Sequence, residues 1–307
     1  MTLQQLKYIL KIVEYGSINE AAKQLFISQP SLSNAVKELE NEVNIEIFNR
    51  SARGISLTAD GVEFLSYARQ IIEQLDLLEQ RYKHKKPSRK LCSVSTQHYA
   101  FAVNAFVNLI HSSDADEYEF TLRETRTHDI IEDVKNMRSE IGILYLSDFN
   151  EKVIMRFLNE NQLVFNPLFV AKPHVFVSVF NPLAKKEFVE LEDLEEYPCL
   201  QFEQGEFNSF YFSEEVLSTV YHKKSIYVSD RATLFNLLIG LNGYTICSGV
   251  LNSDLNGNDI VAVPLKSDEN MLVGWIMNKK SILSKEAQRY VGELKKLIKE
   301  HGFEVLC

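Results

Sequence analysis

Residues 17–33 read SINEAAKQLFISQPSLS, and the architecture of the amino-terminal part turns on them. The stretch reads as two short helices joined by a tight turn, with a polar second helix offered outward. Ser17 is placed to cap the first helix, and Glu20, three residues on, completes a capping box. Ala21, Ala22 and Leu25 give that helix a small apolar face. Ser28 caps the second helix, with Pro30 in its first turn, where a missing N–H costs little. Leu32, Val36 and Leu39 recur at helical spacing and mark its buried side. Gln29, Pro30, Ser31, Ser33, Asn34 and Lys37 remain for the outside. Small hydroxyls, amides and one cation suit a helix that enters a major groove and reaches base edges and phosphates. An ordinary helical hairpin with a solvated face shares this short pattern, so the flanks decide.

Leu3, Leu6, Leu10 and Val13 mark an amphipathic helix before the pair, which makes a three-helix unit. Residues 44–58, NIEIFNRSARGISLT, follow it. Ile45, Ile47 and Phe48 enter a hairpin, Gly54 sits at its turn, and Ile55 and Leu57 return. That is a wing. Arg50 and Arg53 lie on it, where a wing beside a recognition helix meets flanking backbone or minor groove.

Taken together, Leu6, Phe26 to Ser33 (FISQPSLS), Leu39-Glu40, Ile47 to Arg50 (IFNR), Leu57-Thr58 and Gly61 resemble the LysR-type transcriptional regulators. Asp60 departs from the family habit of Ala before Gly61; an acid in a first helical turn is favourable with the dipole. The resemblance implies a winged helix-turn-helix that binds double-stranded promoter DNA, a dimerising linker helix, and a two-lobed effector domain like a periplasmic binding protein.

The formal net charge of −9 looks wrong for a DNA binder until the chain is divided. Residues 1–90 carry 13 Lys and Arg against 11 Asp and Glu, while the remainder carries 20 against 31. Even the first part is only weakly basic, so DNA affinity should rest on a few placed contacts and on two-fold repetition. The acidic remainder is discouraged from lying on DNA.

From Thr58 to about Lys83 a long helix is expected, with Val62, Leu65, Ala68, Ile72, Leu75 and Leu78 along one side and Phe64, Ile71 and Tyr82 widening it. So much apolar surface on a rod of this length predicts a partner helix; a long core helix within one domain is the alternative. KHKKPSRK, residues 83–90, then reads as an exposed hinge. After Leu91 strands and helices alternate, as in doubly wound α/β sheets. LCSVS, EFTLRE, IGILYL, VFVSVF, CLQF, SIYVS, YTICS, DIVAVPL and MLVGWIMN read as strands, and Lys285 to His301 as a terminal amphipathic helix. The expected fold class is therefore α + α/β. The winged helix-turn-helix occupies 1–58, the linker helix and hinge 59–90, and the effector domain 91–307. Lobe I takes 91–163 and 268–307, lobe II 164–267, with crossings near 161–165 and 267–270.

Ligands of open α/β folds bind beyond the carboxyl ends of strands. Ser95, Thr96 and Gln97 lie at one such end, Ser147 at a second, Phe202 and Glu203 at a third, and Ser248 at a fourth. Free backbone N–H groups at the first end favour an anion, so a small polar or anionic effector is expected. Resemblance to sulfur-metabolism members at Thr96-Gln97 points to a sulfur- or amino-acid-related compound. Helix capping alone is the plainer role for Ser95, Thr96 and Gln97.

His98 near Ser95 invites a catalytic reading, but no G-x-S-x-G elbow and no third group accompany them; an enzyme is not expected. The four cysteines, Cys92, Cys199, Cys247 and Cys307, show no metal spacing. A redox-gated regulator using Cys199 or Cys247 is the alternative to metabolite control. The aromatic run Phe207, Phe210, Tyr211 and Phe212 is expected at the core or the lobe interface. No apolar run approaches the roughly 20 residues of a membrane span, and the amino terminus does not read as a signal peptide. No cofactor, metal or membrane partner is expected. The protein should be cytoplasmic and a homodimer or homotetramer.

Overall fold

A computed structural model describes residues 1–51, 54–83, 90–114, 116–251 and 257–306. They fall into two compact units, Met1–Ser88 and Arg89–Cys307. Arg53 and most of the KHKKPSRK hinge lie outside the described residues.

In the first unit, helices α1 (Leu3–Tyr15), α2 (Ile18–Gln24) and α3 (Gln29–Val43) precede a hairpin of β1 (Phe48–Ser51) and β2 (Gly54–Leu57). Ile9, Ile12, Leu32, Leu39 and Ile47 are fully buried where these elements meet. The capping box expected at α2 is half made. Ser17 Oγ accepts the Glu20 N–H at 3.5 Å, but the Glu20 carboxylate turns to Lys23 at 3.3 Å instead. At α3 the Ser28 hydroxyl accepts the Ser31 N–H at 3.2 Å, and Pro30 occupies the first turn. The wing begins later than the sequence suggested: Ile45 and Ile47 form its approach, and pairing starts at Phe48 opposite Leu57. Glu40 on α3 anchors that approach, its Oε1 accepting the N–H groups of Ile47 at 2.8 Å and Phe48 at 3.1 Å.

Helix α4 (Ala59–Lys83) starts under a Thr58 cap whose Oγ1 accepts the Gly61 N–H at 2.8 Å. Its 25 residues make a rod of roughly 37 Å. Leu65, Ala68 and Ile72 are spent inside the unit, the last two against Leu6 of α1. Tyr67, Ile71, Leu78 and Tyr82, spaced along a second stripe, stand 60%, 41%, 55% and 72% exposed. The single apolar side expected of this helix is thus two stripes, one packed and one open.

The second unit holds two five-stranded sheets. Lobe I contains β3 (Lys90–Thr96), α5 (Ala100–His111), β4 (Tyr118–Glu124), α6 (Thr127–Lys135), β5 (Ile141–Leu146), α7 (Glu151–Glu160) and β6 (Leu163–Ala171). Lobe II contains β7 (His174–Ser178), β8 (Cys199–Phe202), β9 (Ser225–Val228), α8 (Arg231–Leu241), β10 (Tyr244–Cys247) and β11 (Ile260–Pro264). The chain returns to lobe I for β12 (Met271–Asn278) and α9 (Lys285–Glu300). Strand order is β4-β3-β5-β12-β6 in lobe I and β11-β7-β10-β8-β9 in lobe II. Every residue of the central strand β5, IGILYL, is buried. Ile143 and Tyr145 face the cluster under α5 and α9, while Leu144 and Leu146 face that under α6 and α7, as befits a strand covered on both sides.

The first crossing differs from expectation. Strand β6 pairs with β12 from Leu163 opposite Asn278 to Ala171 opposite Met271. It therefore belongs to lobe I, and the chain crosses at residues 172–173, not near 161–165. Pro167 obscured this strand. It sits beside a register shift at Val273/Gly274, a place where a missing N–H is tolerated. The second crossing lies between Pro264 and Met271.

Gly61 is where α4 and the approach to the wing come closest. A Cβ there would lie 2.1 Å from the carbonyl oxygen of Ile47. Gly61→Ala is expected to force the wing off α4 and to cost about 1–3 kcal/mol, the usual scale of overpacking. Chemical denaturation of the full chain measures this; an unchanged midpoint would refute the close approach.

Candidate functional site

On the first unit, Gln29, Pro30, Ser31, Asn34 and Lys37 are exposed and Ser33 is half-buried. Gln29 Nε2 donates to Ser33 Oγ at 2.7 Å, and the hydroxyls of Ser28 and Ser31 are also 2.7 Å apart. These bonds pre-order the amino-terminal turns of α3 without hiding them. Phe26, at the turn before α3, takes a φ of 54° and stands 96% exposed. Sequence reasoning counted it only as part of a motif. Arg50 lies on β1 opposite Ile55.

In the second unit a cavity of about 510 Å³, part of it open to solvent, lies between the lobes. It sits beyond the carboxyl ends of β3, β8 and β10, where such folds gather their ligands. Lobe I contributes His98, Tyr99 and Ala100. Lobe II contributes Phe202, Ser248, Glu214, Glu215, Arg231 and Thr245, with Phe176, Leu234, Phe235, Ile246, Cys247 and Val250 closing the apolar side.

Of the residues predicted for the effector site, Phe202 and Ser248 line this cavity and the rest do not. Ser95 is fully buried, and its Oγ donates to Asp133 at 2.6 Å beside Ser139 at 2.9 Å, inside lobe I. Gln97 is equally enclosed. Its Nε2 donates to Thr127 Oγ1 at 2.6 Å, while its Oε1 accepts from the Tyr99 hydroxyl at 2.9 Å and the Tyr145 N–H at 3.1 Å. Thr96 is buried with no partner for its Oγ1, away from the cavity wall. The Ser147 N–H donates to Asn150 Oδ1 at 2.8 Å in the turn before α7. Glu203 pairs with Arg126 on the seam between the lobes. The role left to Ser95 and Gln97 is to hold the β3–α5 turn so that His98 is presented.

Sequence reasoning placed His98 at this strand end without giving it a ligand role, and it missed Glu214, Glu215, Arg231 and Thr245. His98 stacks on Phe202 at 3.9 Å between centroids, 6° from parallel. Its Nδ1 lies 2.9 Å from Glu214 Oε2, and its backbone N–H donates to the same oxygen at 2.9 Å. Burial works against the imidazolium, but the Glu214 hydrogen bond and charge, with Glu124 behind them, outweigh it and raise the His98 pKa. Arg231, at the start of α8, reaches Glu124 of lobe I at 3.0 Å. Glu215 Oε1 accepts the Phe202 N–H at 2.9 Å. Its burial, and the neighbouring Glu214 charge, push its pKa up to about 8. Ser95 and His98 are not paired as nucleophile and base, since Ser95 is turned to Asp133 and His98 to Glu214. Among the described residues no group of three or more side chains could hold a metal ion.

The aromatic run from lobe II crosses onto lobe I. Phe207 stacks on His128 at 3.5 Å, Tyr211 on Phe149 at 4.7 Å, and Phe212 joins the cluster under α6 and α7. Burial drives the Cys199 thiol up to about 12 and raises that of Cys247 as well. Oxidant sensing runs through the thiolate, and burial here favours the thiol form.

Glu215 gives stability a definite pH dependence. The unfolded chain releases this proton near 4.5, the folded one only near 8. Folding is therefore progressively penalised as pH rises through that window, by about 1.4 kcal/mol per unit of separation. Glu215→Gln keeps the acceptor for Phe202 and removes the titration. Relative to the parent chain it should gain thermal stability between pH 5 and pH 9; a difference independent of pH would contradict the burial of this carboxyl.

The family model described as the bacterial regulatory helix-turn-helix protein, lysR family, matches residues 3–62, and that of the LysR substrate binding domain matches residues 112–298. The uncharacterised regulator YbhD of Escherichia coli (strain K12) is 24% identical over 298 residues, covering 94% of this chain and 89% of that protein. The regulator TfdT of Cupriavidus pinatubonensis is 42% identical over 72 residues, 24% of this chain and 32% of that protein. Among solved structures, a Corynebacterium glutamicum OxyR C206 mutant shares the fold with a TM-score of 0.51 at 18% identity, over 97% of this chain and 94% of that one.

Proposed function

The chain belongs to the LysR family of bacterial transcriptional regulators, a family of ligand-responsive DNA-binding proteins and not of enzymes, and on that footing we propose how its parts divide the work. Helix α3 is the recognition helix. Gln29, Ser33 and Asn34 address base edges, Pro30, Ser31 and Lys37 lie along the phosphates, and the wing meets the flanking backbone. Phe26 adds an apolar contact of the kind that meets a thymine methyl. The open stripe of α4, Tyr67, Ile71, Leu78 and Tyr82, pairs two protomers in the cytoplasm so that two recognition helices meet successive half-sites. A small-molecule effector, amino-acid- or sulfur-related, occupies the cavity between the lobes.

One observation carries the DNA reading. The polar face of α3 is capped and internally bonded, yet Ser31, Asn34 and Lys37 stay exposed on their own unit. With a weakly basic first part, specific contacts must supply much of the affinity, since each bidentate base contact is worth about 1–3 kcal/mol.

The double variant Ser33→Ala, Asn34→Ala should lose at least tenfold in affinity for the duplex upstream of the protein's own gene and little for a scrambled duplex, by fluorescence anisotropy at fixed salt. Equal losses on both duplexes, or none, would remove α3 from base reading. For assembly, Leu78→Asp places a charge in the open stripe of α4. Sedimentation should show dimers shifting to monomers at micromolar concentration; an unaltered association state would assign the dimer contact elsewhere.

A further inference from the structure

We propose that the interlobe cavity selects a cationic ligand, a primary ammonium on a compact apolar body, with Glu215 as its counter-charge and Thr245 as a further acceptor. The proposal rests on reading this cavity as the effector site, and it narrows the class of effector to amines.

The acidic groups at the cavity are unevenly partnered. Glu214 and Glu215 line it together with His98 and Arg231, and Glu124 stands behind Arg231. His98 is engaged by Glu214 and Arg231 by Glu124. No ion pair among the described residues reaches Glu215, which is 4% exposed and bonded to the Phe202 N–H. A ligand cation would pair with Glu215 once the Glu215 proton is released. An anion would meet the Glu214 carboxylate, and both cations of the wall are already paired.

Thr245 supplies an independent indication. It is 4% exposed, it lines the same cavity, and its Oγ1 has no hydrogen-bond partner. Buried hydroxyls are rarely left so, and a polar ligand atom, an amine N–H among them, would satisfy this one. The remaining wall is aromatic and aliphatic, including Phe176, Phe202 and Phe235. Such a wall suits the body of an amine.

A proton is linked to this binding. Burial holds Glu215 protonated near neutrality, so an arriving ammonium displaces its proton. The titratable groups around it are Glu214 beside it, Tyr99 and Tyr145 from lobe I, and Cys199 and Cys247 from β8 and β10. Across the cavity stand His98 and Arg231.

Two probes of one shape and opposite charge decide the matter: 2-phenylethylamine and phenylacetate, titrated calorimetrically into the full chain at pH 7 in buffers of different ionisation enthalpy. The amine should bind at least tenfold more tightly than the acid and release a proton. Glu215→Gln should weaken amine binding at least tenfold and abolish that release, and Thr245→Val should weaken it several-fold. If Glu215→Gln fails to fold in a thermal melt, the comparison of the two probes and the Thr245→Val variant still decide. Equal or tighter binding of phenylacetate, no amine binding at millimolar concentration, or a folded Glu215→Gln chain that binds the amine unchanged would overturn the proposal. A protein that grips its operator yet rejects both probes would refute the amine class while leaving the regulator reading intact.

Discussion

The carboxylate of Glu214 is the tie on which the two-lobed unit depends. It accepts the amide and the ring N–H of His98 from lobe I, and Gln204 Nε2 of lobe II at 3.2 Å. Both side chains of the His98–Glu214 pair are 4% exposed. Outward along the seam the pairs become wetter. Arg231 and Glu124 are 17% and 25% exposed, Arg126 and Glu203 38% and 44%. That gradient ranks them. An exposed pair contributes about 0–1 kcal/mol, whereas removing one partner of a buried pair costs about 3–5 kcal/mol because a charge is stranded. The inner pair therefore sets the geometry of the cleft, and the outer pairs trim it.

The amino-terminal unit was largely legible because its signals are local. Caps at Ser17 and Ser28 and the spacing of Leu32, Val36 and Leu39 each act within a few residues. The start of the wing was read early because Ile45 and Ile47 are apolar like strand residues, although Glu40 draws the Ile47 and Phe48 amides toward α3. The face of α4 was misjudged for a related reason. Periodicity reports that a side is apolar, not what covers it, and α1 claims only part of it.

The cavity between the lobes was far less legible. Strand ends were found correctly, yet a strand end offers side chains in two directions, and Ser95 and Gln97 point into lobe I. The charged groups of the cavity come from Glu214, Glu215 and Arg231, more than 100 residues beyond His98, on segments with no strand-end pattern to flag them. The expectation of an anion followed from free amides after β3. The structure spends the His98 amide on Glu214, so the protein's own carboxylate already occupies the place such an anion would take.

A ligand shifts a two-state equilibrium only by its difference in affinity between the states. Here the interlobe ion pairs are already made without any ligand, so an effector that merely filled space would bias little. Under the amine proposal Glu215 supplies a difference. Its carboxyl is held out of water, which favours the protonated form. A cation that pairs with the ionised form must release that proton as it binds. On that proposal proton release and ligand charge are one coupled event, and the direction of the coupling follows from the sign of the ligand.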